Sequence, residues 1–261
     1  MWKLYNGEVT LTMDARHIYR VVDEKHGIAK PKPVINVTSV LGIIDKSRGL
    51  LPWAVGLAVA EFEAHVKPGV ALDEIQIQTI GNAMKVAHTV KKEQAATIGS
   101  IVHKYAEDRL GLEDVDLPTA EAARSGAEAF DGWLEQHDIR PLHVEKKLYS
   151  RKYGYAGTVD FVGLIDGKMF VADFKTSNSI YPEMQLQTAA YAMALREEYP
   201  DLKIDARAII RFSKEDGSFE FCELPNQQVR DELAFLSALS LHQWNKAASS
   251  EIYAIKKAMA A

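Results

Sequence analysis

A chain of 261 residues, 47% hydrophobic and 26% charged, has the composition of an ordinary globular protein and the length to bury a full core, most simply as one domain. Its formal net charge of −5 excludes a generally basic nucleic-acid coat while leaving room for a locally basic groove. The single cysteine, Cys222, excludes an internal disulfide, a four-cysteine zinc site and an iron–sulfur cluster held by one chain, and it reads as a small apolar strand residue. No apolar run approaches membrane-spanning length, and Met-Trp-Lys-Leu-Tyr-Asn at the start is not a signal peptide, so a cytoplasmic protein without a membrane partner is expected.

Residues 1–35 read as β, with Glu8 to Met13 alternating and His17 to Val22 rich in β-branched and aromatic residues, until Pro31-Lys-Pro33 breaks the pattern. Asn36-Val-Thr38-Ser39 opens a short helix, with Asn36 or Thr38 as its cap. A helix is expected from about Leu51 to Val66, ended by Lys67-Pro68-Gly69, and a short one after Asp73. Residues 82–110 read as a long helix or two abutting ones, with Ala96, Gly99, His103 and Glu107 in one line at three- and four-residue spacing. A loop over 111–118 leads to a helix over 119–137 and a strand over 142–149. Two strands around Asp166-Gly167, a helix over 181–197, strands over 204–212 and 219–224, and an amphipathic helix from Asn226 complete the chain.

The strands around Asp166-Gly167 carry the most chemistry. Asp-Gly is a strong signal for a two-residue hairpin turn, because both positions take positive φ. With that turn Ile165 faces Lys168, Asp160 faces Asp173, and Lys175 faces Thr158. Asp160, Asp173 and Lys175 therefore converge within otherwise apolar β sequence, where unpaired charge is costly. Two carboxylates held that close repel unless a cation lies between them, and a divalent metal with oxygen ligands fits.

Around this set, His103 is placed to complete a metal shell, and Glu107 to orient it or hold a water; the alternative is a boundary histidine and a Glu107 paired with Lys104 or Arg109. Glu145 lies on the preceding strand within reach of the metal shell, with Lys147, Arg151 and Lys152 flanking it as phosphate contacts or as a solvated charged strand. Gln187 and Tyr191, one helical turn apart, either hydrogen-bond a phosphate or order the lysine, and Arg211 is a further phosphate contact of low specificity.

Gly157-Thr-Val-Asp160, Asp173-Phe-Lys175 and Gln187-x-x-x-Tyr191, preceded by a helical His103, resemble the RecB-like branch of the PD-(D/E)XK nucleases over about residues 99–191. A more local likeness is to phage-type exonucleases related to the mitochondrial genome maintenance exonuclease, through Asn36-Val-Thr38-Ser39-Val-Leu, Ile98-Gly99-Ser-x-Val-His103 and the carboxy-terminal helix. The resemblance implies an α/β (α+β) fold: a restriction-endonuclease-like core with a central mixed sheet flanked by helices over 98–225, an amino-terminal β and helical elaboration over 1–97, and a carboxy-terminal helix over 226–261, all one nuclease domain. It implies a metal-dependent cut of DNA using Mg²⁺ or Mn²⁺, with His103, Asp160, Asp173 and the Phe174 carbonyl as ligands and Lys175 as catalytic lysine. An exonuclease is expected, with a structure-specific or restriction-type endonuclease on the same core, or a catalytically inactive DNA-binding accessory protein, as the alternatives. Gln187 and Tyr191 carry over as DNA- or lysine-supporting residues. DNA with a free end is the implied partner and, by analogy, a single-strand annealing or binding protein. The relatives that hold an iron–sulfur cluster on four cysteines are excluded by the lone Cys222.

Overall fold

In the computed structural model, which describes residues 1–113 and 115–259, Asp166 (φ 51°) and Gly167 (φ 82°) both adopt the left-handed region and close a two-residue hairpin. The turn joins β6 (Tyr155–Ile165) to β7 (Lys168–Lys175), with Ile165 opposite Lys168 as the Asp-Gly pair requires. Asp166 is fixed further by the Asp138 amide at 2.9 Å and the His137 ring at 2.6 Å. Asp114, inside the loop expected over 111–118, and residues 260–261 of the expected 226–261 segment lie outside the described residues.

The described residues form a mixed nine-stranded sheet with an amino-terminal β-rich stretch, flanked by helices. β5 (Ile139–Ser150) pairs antiparallel along one edge of β6. The other edge of β6 is shared. β4 (Ile28–Asn36) meets it only at Tyr155 and Ala156, and β7 meets it only from Phe161 onward. Residues 157–160 of β6 are therefore bordered by neither strand. β8 (Ala206–Phe212) runs parallel to β7, and β9 (Phe219–Glu223) antiparallel to β8. β1 (Trp2–Leu4), β2 (Val9–Met13) and β3 (Tyr19–Asp23) extend the sheet beyond β4.

Pro31 and Pro33, expected to break the β pattern, lie inside β4. Over those residues β4 pairs with β3 alone, so its outer edge has no ladder bond for a proline to lose. Asn36 then caps α1 (Val37–Leu41), its side chain accepting from the Ser39 amide at 2.6 Å.

α5 (Glu183–Glu198) is buried on all sides from Gln187 to Leu195, between the sheet and α1 and α6 (Gln228–Met259). On the opposite face lies α4 (Glu121–Gln136), whose Phe130 and Trp133 pack edge-on against Phe174. The same face at the start of β6 is covered by the amino-terminal strands, with Leu4, Val9, Leu11, Tyr19 and Val21 against Tyr149 and Ala156.

By their internal contacts the described residues divide into two units: Met1–Ile44 with the residues from His103 on, and Asp45–Val102. The second contains α2 (Ser47–His65) and most of α3 (Glu74–Leu110). α3 is one continuous helix where a short and a long one were expected. Its start is set by a reciprocal capping box, Asp73 accepting from the Gln76 amide at 2.8 Å and Gln76 from the Asp73 amide at 2.9 Å.

Candidate metal centre

The β6–β7 ladder ends at Phe161 opposite Ala172, one pair short of Asp160 and Asp173. Those two acids were expected to face each other as a ladder pair; instead the strands part there. The Asp160 carboxylate takes the Phe174 amide at 2.6 Å, and from Asp173 to Lys175 β7 bonds β8 alone. The acids still converge. Asp160 is 7% exposed and Asp173 1%, and Lys175 pairs with Asp173. Burial, then the Asp173 charge, pushes the Asp160 carboxyl well above the usual carboxylate range, with Lys175 opposing.

A second irregularity sits on the other side of Asp160. Val159 and Val162 both face α5, so β6 changes face between them. Across from this point, between the pairs Val144–Phe161 and Lys146–Val159, lies Glu145 with a φ of 50°. A glutamate in the left-handed region costs energy, and such positions persist where surrounding structure imposes them. The result is a cluster: ligand atoms of His103, Glu145 and Asp160 lie within 4.8 Å of one another. His103 Nδ1 is 3.8 Å from Asp160 Oδ1. Burial, then the Lys175 charge, lowers the imidazole pKa, so His103 is neutral and has a nitrogen to offer near pH 7. The last turns of α3 reach this face because Tyr105 and Arg109 bond Asp131 of α4, at 2.6 and 3.1 Å.

Behind the cluster, Gln187 Nε2 donates to Asp173 Oδ1 at 2.9 Å and to the Tyr191 hydroxyl at 2.9 Å. Gln187 and Tyr191 are buried, so they act on Asp173 rather than on the surface. Asp173 Oδ2 is buried against the Lys175 ammonium, which meets its charge. Tyr191 lies against Gly157, where an added Cβ would sit 2.7 Å from Tyr191 Cε1 and 3.2 Å from Val37 Cγ2. Gly157→Ala is therefore expected to cost about 1–3 kcal/mol by overpacking, and to displace the ring that shares Gln187 with Asp173. Urea unfolding of the variant beside the wild type measures the cost; an unchanged midpoint would contradict this packing.

Most of the other residues singled out in the sequence are placed elsewhere, while Lys147 stays beside the cluster. Glu107 is directed to an exposed face, 3.4 Å from Lys104. Arg151 is held by Asp23 at 2.8 Å and Glu8 at 2.9 Å, over the Tyr5 ring. Lys152 lies over the Tyr153 ring. Arg211 is the β8 neighbour of Lys175 and pairs with Glu220 at 2.9 Å. Lys147 is 3.0 Å from Glu145. Two residues not singled out adjoin the cluster: Tyr19, whose hydroxyl is 2.6 Å from Thr158 Oγ1, and Trp2, whose ring lies under Lys147.

No protein-family model matches the chain, and no curated protein matches it. Among solved structures, the crystal structure of SSO0001 is similar at 14% identity over 75% of this chain and 85% of that one, with a TM-score of 0.31. That likeness carries no functional argument. The site stands on its own geometry: a candidate metal-binding cluster consistent with metal-dependent catalysis. Among the described residues no helix is long and apolar enough to cross a membrane.

Proposed function

We propose that this protein is a metal-dependent deoxyribonuclease of the PD-(D/E)XK type, in its RecB-like branch, on a restriction-endonuclease-like core. The observation that carries the reading is the convergence of His103, Glu145 and Asp160, with Asp173 and Lys175 beside Asp160. One imidazole and two carboxylates form a donor set suited to Mg²⁺ or Mn²⁺, the imidazole favouring Mn²⁺. A divalent cation held there supplies Lewis acidity and a water more acidic than bulk water.

The chain's own groups do the rest. His103 and Glu145 approach Asp160 from a helix and a strand, so the donor set is held by rigid elements. Gln187 keeps the Asp173 carboxylate in one orientation, with Tyr191 at its other end. Lys175 brings an ammonium to the same rim, where it offsets charge developing on the phosphoryl oxygens of a diester under attack.

The choice of exonuclease follows the likeness of the 36–41 and 98–103 segments to phage-type exonucleases. With Mg²⁺ or Mn²⁺, the protein is expected to release nucleotides from end-labelled linear DNA and to spare covalently closed circles, single- or double-stranded. Rapid cutting of circles assigns an endonuclease on the same core. Failure to cut any of these with either metal removes the nuclease reading.

A further inference from the structure

The next pair along β5 and β6 after Glu145 and Asp160 is Lys147 and Thr158, two residues on in each strand, which are register partners. Two residues of strand separate the pairs, about 7 Å, the order of one nucleotide step along an extended strand. Lys147 Nζ lies 3.0 Å from Glu145 Oε2 and 5.6 Å from the Trp2 ring centroid, and the lysine side chain is only 14% exposed. Thr158 Oγ1 lies 2.6 Å from the hydroxyl of Tyr19, which is itself buried. Trp2 and Tyr19 come from β1 and β3, so the amino-terminal strands back this pair from below.

A nearly buried ammonium needs an anion. In the metal-free protein Glu145 provides it, but Glu145 is also one of the three groups that converge to hold a cation. When a cation shares that carboxylate, less of its negative charge is left to meet Lys147, and a second anion beside the lysine restores the balance. Either hydroxyl can donate in the Tyr19–Thr158 pair, and when Tyr19 donates the threonine proton is left for a third group. A cation and a hydroxyl donor side by side, one nucleotide step from the metal cluster, match the chemistry of a phosphate.

We infer that Lys147 and Thr158 form a subsite for the phosphate next to the one being cut, so that the substrate is a strand carrying at least two consecutive phosphodiesters. Tyr19 and Trp2 are its positioning residues. The inference rests on the nuclease reading, and its test separates the two. Two substrates are compared with Mn²⁺: a short single-stranded oligonucleotide, and bis(p-nitrophenyl) phosphate, which has one phosphate only. Lys147→Met and Thr158→Val are each expected to raise KM for the oligonucleotide about tenfold or more, with a several-fold smaller loss on the single-phosphate ester. Thr158→Ser restores the oligonucleotide KM. Thr158→Val, nearly isosteric, keeps the test open where Lys147→Met does not fold. Equal losses on both substrates, or no loss on either, overturn the subsite. A wild-type protein that cleaves neither substrate overturns the nuclease reading and the subsite with it.

Discussion

Asp160→Asn is expected to make the metal-free protein more stable and, at the same time, to remove metal-dependent hydrolysis. Asp160 is buried beside Asp173, and its carboxyl is raised well above the ordinary range by burial first and by that neighbouring charge second. In the unfolded chain the same carboxyl returns to about 3.9. The folded state thus holds its proton more tightly than the unfolded state. The stability this contributes is complete below the unfolded value and is lost as pH rises through the raised folded value. Asparagine keeps an oxygen for the Phe174 amide but carries no charge, so it escapes that loss. The variant's advantage in urea midpoint should therefore be small near pH 4 and grow toward pH 8, where the wild type must ionise a buried acid. Hydrolysis should fall on the order of 10³-fold, the scale seen when one electrostatic contact to a transition state is removed. Wild-type activity in the variant, or a stability difference independent of pH, would contradict this role.

Lys175→Met gives the opposite stability effect for the same reason. Lys175 pairs with Asp173, whose side chain is 2% exposed, and deleting the ammonium leaves that carboxylate buried with its charge uncompensated. Removing one partner of a buried pair costs about 3–5 kcal/mol. Methionine retains the apolar stem, so the loss reports charge rather than volume. A cluster stripped of one cation also attracts another more strongly. Mn²⁺ should raise the melting temperature of Lys175→Met by more than it raises that of the wild type. On the nuclease reading, turnover should nonetheless fall about 10²–10³-fold, because the ammonium that this reading sets against the phosphoryl group is gone. Thermal melts with and without Mn²⁺, beside single-turnover hydrolysis, separate the two effects; a variant with wild-type metal-free stability and full rate refutes both.

The parts of the site legible in the sequence were those set by local chemistry. Asp166-Gly167 specified its own turn, and with it the register from Ile165–Lys168 to Phe161–Ala172. Asn36 as a helix cap and the His103 position on a helix followed from short-range rules of the same kind. What escaped depends on contacts between distant segments. The ladder stops before Asp160 and Asp173 because a side chain takes the Phe174 amide, and register arithmetic cannot anticipate a carboxylate doing so. Glu145 was legible as a residue within reach of the metal shell, and it joins His103 and Asp160 there; what no residue type marks is its left-handed backbone, which has no glycine to announce it. Glu107 shares a helical line with His103 and lies half-exposed beside Lys104. Tyr19 lies 139 positions from Thr158, and only the packing of the amino-terminal strands on β5 and β6 brings them together.

The central claim is that His103, Glu145 and Asp160 hold a divalent cation. A crystal of the protein grown with Mn²⁺ and measured at the manganese absorption edge tests it directly. The account requires an anomalous peak within coordination distance, about 2.0–2.3 Å, of His103, Glu145 and Asp160, lost in Asp160→Ala. A peak bound elsewhere on the chain, with these three side chains clear of it, would contradict the account.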